Sequence, residues 1–188
     1  MNYNKLTSLV ANVEAIETAV NIHVQGRTAT TDEKEILSRY SGFGGIKEVL
    51  NIGTDNPVTD NMAEPLNRLE KALRTWTGED ETMYRTLIES IKASVLTAFY
   101  TPQFIVEAVA RQIHDTFQQN GLKMRSLLEP SAGIGGFLPV AMPGTHSYAF
   151  EKDCITGLIL SLLHDDTDTV TAGFETIGEQ DFEHSKFD

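Results

Sequence analysis

Cysteine is almost missing from this 188-residue sequence. The single thiol, Cys154, excludes an internal disulfide and any zinc site built from several cysteines. No apolar run approaches the roughly 18–20 residues that a bilayer-spanning helix needs. The opening residues, Met1-Asn2-Tyr3-Asn4-Lys5, lack the charged-then-apolar pattern of a secretory signal. Prolines never stand side by side, and no low-complexity tract occurs. Basic side chains are scarce as well: 15 Lys and Arg face 27 Asp and Glu, a net charge of −12. A groove for nucleic acid is locally basic, because phosphate contacts dominate affinity. Taken alone, the chain is therefore a poor candidate for strong non-specific DNA binding. These absences predict a soluble, cytoplasmic protein with no membrane contact and no metal centre.

What is present suits a folded protein. Apolar residues make up 40% of the chain, enough for the core of one domain, or of a small domain with a helical extension. The acids are unevenly placed, with ten of them against two lysines over residues 145–188. The first 120 residues read as helices. Leu6, Leu9, Val10, Val13, Ile16, Val20 and Val24 form one apolar stripe on a helix that Gly26 ends. Thr30 and Glu33 make a capping box for a second helix running to Tyr40. A glycine-rich turn, Ser41-Gly42-Phe43-Gly44-Gly45, leads to a short amphipathic piece over residues 46–50. Residues 51–60 form a loop. Leu66, Leu69, Leu73 and Trp76 mark a further helix, and Met83, Leu87, Ile88, Ile91 and Val95 the next. Thr101 as cap and Pro102 at the first position predict another, with Val106, Val109, Ile113 and Phe117 as its stripe and Gly121 as its stop.

From residue 122 the pattern changes to strands alternating with helices. Strands are expected over 125–129, 147–151 and 168–172, a helix over 154–163, and the start of a fourth strand at Phe187. Such alternation argues for a parallel sheet in an α/β fold. The first strand runs into Gly133-Ile134-Gly135-Gly136, with a helix expected after it. Glycine lets backbone approach a ligand, and open N–H groups at a helix start favour anions. A dinucleotide fingerprint needs glycine at position 138, where Leu138 stands, so a nicotinamide site is disfavoured. The turn alone is equally consistent with a reversal that holds no ligand. Glu151, at the end of the second strand, stands where an acid grips a ribose diol, although Lys152 and Asp153 beside it also fit a solvated turn. The five histidines have no ligand-like spacing and read as surface or packing residues, as do Cys154 and Trp76.

Together these segments resemble a family. Glu129-Pro130-Ser131-Ala132-Gly133-Ile134-Gly135-Gly136-Phe137 is similar to the S-adenosylmethionine (AdoMet) motif of N6-adenine DNA methyltransferases. Ala98-Phe99-Tyr100-Thr101-Pro102 resembles the family's Phe-Tyr-Thr-Pro segment, which closes over the methionine part of the cofactor. Glu151 matches the ribose-binding acid, and Gly173-Phe174-Glu175 falls where a third motif borders the adenine. Their order is that of type I modification subunits, and the helical leader resembles that of large methylase–helicase proteins of bacterial conjugative elements.

The resemblance implies a helical region over 1–94 and a partial Rossmann-like AdoMet-binding domain over 95–188. Its cofactor site would comprise Tyr100, Thr101, Pro102, Glu129, Pro130, Ser131, Gly133, Gly135, Glu151 and Phe174. The family's catalytic Asn/Asp-Pro-Pro-aromatic segment has no counterpart, so no catalytic residue is assigned. The expected function is the cofactor-binding front part of a DNA adenine-N6 methyltransferase, inactive alone, that reaches DNA through a missing C-terminal part. An RNA or protein methyltransferase fragment and a non-catalytic interaction module are the alternatives. An uncovered edge of the first strand would favour self-association.

Overall fold

The computed structural model describes residues 4–54, 58 and 60–179. The chain divides into two compact units, Met1–Phe99 and Tyr100–Asp188. The division falls inside the Phe-Tyr-Thr-Pro segment, whereas the expected boundary lies at 94/95.

The first unit is helical. Helix α1 (Lys5–Gln25) starts at Asn4, whose side chain accepts the N–H groups of Leu6 and Thr7. It ends at Gly26, whose φ of 61° is the left-handed conformation that glycine adopts without a steric penalty. Helix α2 (Thr31–Leu37) carries the expected capping box between Thr30 and Glu33 but stops short of Tyr40. Arg27 adds two bonds to the Glu33 carboxylate at 2.8 and 2.6 Å. These bonds and the Thr30 N–H hold that carboxyl down at about 2. A short 3-10 turn (Lys47–Asn51), α3 (Ala63–Thr77) and α4 (Glu81–Ser94) complete the unit.

Leu9, Ile16, Leu69, Leu73, Leu87 and Ile91 are fully buried or nearly so. Each such side chain contributes about 1.5–3 kcal/mol by leaving water. Arg68 on α3 grips Glu17 on α1 with bonds of 3.0 and 2.5 Å. Trp76, half-buried on α3, meets the His23 ring edge-on with centroids 5.6 Å apart.

Asn12 lies within the apolar stripe of α1 and is completely buried. Its amide donates to the Gly42 carbonyl at 2.6 Å, and its oxygen accepts the Ser41 N–H at 2.8 Å. One polar side chain thus fixes the glycine-rich turn that follows α2. The Gly45 N–H then donates to the Val95 carbonyl. A β-carbon on Gly44 would collide with the Ala98 carbonyl oxygen, which explains glycine there.

The second unit is α/β. Its elements are α5 (Gln103–Gln119), β1 (Ser126–Glu129), β2 (His146–Phe150), α6 (Cys154–Leu163) and β3 (Thr167–Val170). The strands form one parallel sheet in the order β1-β2-β3, with Ser126 opposite His146 and Ser147 opposite Thr167. Leu138, Ala149, Leu160 and Ala132 pack together as a core cluster, with Leu127 against them.

Three expectations change. Helix α5 begins at Gln103, because Pro102 is extended with ψ 138° and serves as the cap that Thr101 was expected to provide. The expected α5 stripe is unevenly covered: Val106 is buried, Ile113 and Phe117 are half-buried, and Val109 is 37% exposed. No α-helix follows the glycine turn. Only a three-residue 3-10 turn, Leu138–Val140, stands there, with Pro139 inside it and Pro143-Gly144 just beyond. Proline removes backbone donors and glycine disfavours helix, so propagation stops. The open helix N-terminus expected for binding an anion is therefore absent from this turn. The fourth strand expected at Phe187 lies outside the described residues. Among the described residues, no helix is long and apolar enough to cross a membrane.

Candidate functional site at the carboxyl end of the sheet

Strands β1 and β2 both end in acids at the same edge of the sheet, Glu129 as the last residue of β1 and Glu151 just after β2. Between them in sequence, the chain leaves β1 through a tight turn. The Ala132 N–H donates to the Phe150 carbonyl and the Gly135 N–H to the Ala132 carbonyl, each at 2.8 Å. Gly133 and Gly135 have φ of 58° and 84°, where a side chain would be strained. Space is restricted too. A β-carbon on Gly133 would meet the Tyr100 ring at 2.6 Å, and one on Gly135 would meet His164 Nε2 at 2.6 Å. His164 anchors the far side of the turn, with Nε2 2.9 Å from the Ile134 carbonyl oxygen.

Each oxygen of Glu151 accepts a backbone N–H at 2.8 Å, Oε2 from Gly133 and Oε1 from Asp153. Each carboxylate oxygen retains accepting capacity, so a diol remains within the chemistry of this group. Burial raises the Glu151 carboxyl above its ordinary value, while the N–H groups of Asp153 and Gly133 oppose that shift.

Glu129 is 8% exposed, and its Oε2 is buried without a hydrogen-bond partner among the described residues. Burial pushes its carboxyl up to about 7; the Phe137 N–H works against that, and the charge of Glu151 adds to it. An unsatisfied buried polar group costs roughly 1–3 kcal/mol, so it is kept where something compensates for the cost.

Tyr100 lies against the same turn. Burial raises its phenol above the ordinary value, a bond with Thr156 opposes this, and the charges of Glu151 and Asp153 add to it. Asp153 caps α6, its Oδ1 accepting the Thr156 N–H at 2.7 Å and the Thr156 hydroxyl at 2.6 Å. Sequence reasoning offered a solvated turn as one reading of Asp153 and passed over Thr156. The Asp-x-x-Thr spacing of a helix N-cap was the available signal.

The structure thus brings Tyr100, Glu129, Gly133 and Glu151 together, with Gly135 in the same turn. Phe174 is 39% exposed, and its ring stands edge-on to Phe150, the residue before Glu151, with centroids 5.6 Å apart. Thr101, Pro102, Pro130 and Ser131 are exposed. Cys154, at the start of α6, has its thiol raised by burial and by Asp153, as befits a packing residue rather than a nucleophile.

Two recesses of this unit are lined by other residues, the first of them on the His164 side of the glycine turn. One of about 440 Å³ is lined by Leu138, Met142, Ser147, His164 and Asp166. Another, about 310 Å³, lies along α5 at Val106, Arg111 and His114. Neither gathers the acids described above.

Comparison with protein-family models, with curated proteins and with solved structures gave no match to this chain.

Proposed function

We propose that the Tyr100–Asp188 unit binds AdoMet and is the cofactor-binding part of a methyltransferase of the N6-adenine DNA class, within a Rossmann-like domain. The observation that carries this reading is the meeting of three separate sequence segments at Gly133. The Tyr100 ring covers its α-carbon, Glu151 accepts its N–H, and Glu129 ends the strand leading to it. AdoMet offers an ammonium and a sulfonium cation, a ribose diol and an adenine. Glu129 suits the cationic amino end, Glu151 the diol, and Phe174 the face of the adenine. An acidic, partly buried cluster fits such a ligand better than it fits a phosphate.

Methyl transfer to adenine needs a group that holds the target amine and an aromatic that stacks on the flipped base. No Pro-Pro-aromatic segment occurs in the sequence, so the chain alone is expected to leave DNA unmethylated. A second reading, a non-catalytic interaction module, draws support from α5, where Phe104 is 69% and Ile105 40% exposed.

Calorimetric titration of the full chain with AdoMet separates the two readings. Binding is expected, and Glu151→Ala is expected to weaken it ten- to a hundredfold, about 1.5–3 kcal/mol for lost charge-assisted bonds. No binding at millimolar AdoMet would remove the cofactor assignment. Equal binding by both proteins would remove Glu151 from the site.

A further inference from the structure

We propose that Glu129 carries a proton in the free protein and releases it to solvent when the cationic end of the ligand settles against its open oxygen. Glu129 then acts as a specificity-determining residue that selects positive charge and couples occupancy to pH. The inference rests on the AdoMet reading above and adds to it a proton balance.

Geometry carries the argument. One side of the Glu129 carboxyl meets the Phe137 N–H, while Oε2 is buried with nothing to bond. Among the described residues, the titratable groups around it do not supply the missing charge. Glu151, just beyond the end of β2, is another acid. Asp153 at the start of α6 is committed to capping, Tyr100 is a neutral phenol, and His164 is engaged with the Ile134 carbonyl on the turn's far side. The nearby cation Lys152 is exposed and pairs with Glu175 at 3.7 Å. A buried acid beside a half-buried one, with no cation between them, resists joint ionisation. The proton falls to Glu129, whose open oxygen no N–H stabilises. The upward shift of Glu129 to about 7 agrees. An arriving ammonium or sulfonium supplies the absent counter-charge. The carboxyl O–H then breaks, its proton passes to buffer, and the carboxylate pairs with the ligand cation.

The test is calorimetry of the full chain with AdoMet near pH 6, in buffers of different ionisation enthalpy. At that pH the ligand's own amino group, with a pKa of about 7.7–8.0 for an α-amine, stays charged and contributes no proton. Release of roughly 0.5–1 proton per ligand is expected, with affinity about tenfold higher at pH 7 than at pH 5.5. Glu129→Gln is expected to abolish the release and flatten the pH profile.

Wild-type binding without proton release would overturn the proposal and leave the AdoMet reading standing. Equal release by the Gln variant would overturn it as well. Absence of binding at every pH would remove the reading and the proposal together. Should the variant fail to fold, carboxyl NMR of the wild type decides: the Glu129 titration midpoint falls on adding AdoMet if the proposal holds, and an unmoved midpoint overturns it.

Discussion

The helical unit and the α/β unit treat a buried polar side chain in opposite ways. In the helical unit, Asn12 is sealed from solvent with its amide donor and its oxygen both bonded to the glycine-rich turn. In the α/β unit, Glu129 is nearly as buried, but one oxygen is left without a donor. A saturated group holds a backbone in place, whereas an unsaturated one stores unfavourable free energy that a ligand can relieve. Glu48 of the helical unit also has an unpartnered buried oxygen, yet Lys5 stands 3.3 Å from its other one, so its charge is compensated. Among the described residues, Glu129 lacks such a cation. Thr77 Oγ1 of the helical unit is buried without a partner as well, but a hydroxyl carries no charge, so the contrast that remains is an unpartnered buried acid with no cation beside it.

The largest expected effect falls on the saturated side. Asn12→Ala strands the buried Gly42 carbonyl, removes the acceptor of the Ser41 N–H and leaves a void in the core, and should cost about 2–4 kcal/mol. Urea unfolding would record this as a lower midpoint, with AdoMet affinity of the remaining folded protein unchanged. A loss below half a kilocalorie would mean that water or the turn itself replaces the amide, and the contrast would fail.

On the unsaturated side the sign reverses. The folded carboxyl of Glu129, at about 7, lies above its unfolded value of about 4.5. The unfolded chain therefore ionises first as pH rises, and the contribution to stability is full below about pH 4.5 and lost as pH climbs through 7. Above pH 7 the buried carboxylate costs on the order of 2–3 kcal/mol, which Glu129→Gln would remove. Thermal melts should show the variant several degrees more stable at pH 8 and unchanged at pH 4. An equal gain at both pH values would point to packing instead of charge. The smallest effect belongs to Thr30→Ala, which removes the α2 cap and should cost about 1 kcal/mol in urea unfolding.

Elements defined by local chemistry were legible in the sequence. Gly26 ends α1, Thr30 and Glu33 box α2, and α6 occupies the expected positions 154–163 because nothing nonlocal competes there. Parallel strands could be placed because their apolar runs alternate with helical ones. The 3-10 turn at Leu138–Val140 was missed because the glycines upstream suggested a helix start, while the prolines beyond them decided otherwise. Asn12 was missed because a stripe of apolar residues draws attention away from the polar residue among them. At the site, spacing marked the glycine turn and Glu151 as candidates with a bland alternative for each, and the family resemblance added Glu129. The orphaned oxygen of Glu129 was not legible, since satisfaction of a buried atom depends on which neighbours the fold brings near. The exposed face of α5 was illegible for the same reason: amphipathic spacing announces a face to be covered but not what covers it.

Trp76 has an optical consequence. It is the chain's sole tryptophan, and it lies in the helical unit on α3 against His23. Indole emission therefore follows residues 1–99 only, while amide ellipticity follows both units. A denaturation curve recorded by both signals distinguishes unfolding of the helical unit from unfolding of the whole chain, with no label attached. When a ligand is added, a shift in that emission registers a response of the helical unit, so the lone indole serves as a built-in beacon for whether occupancy near Gly133 is felt on the other side of the Phe99–Tyr100 peptide.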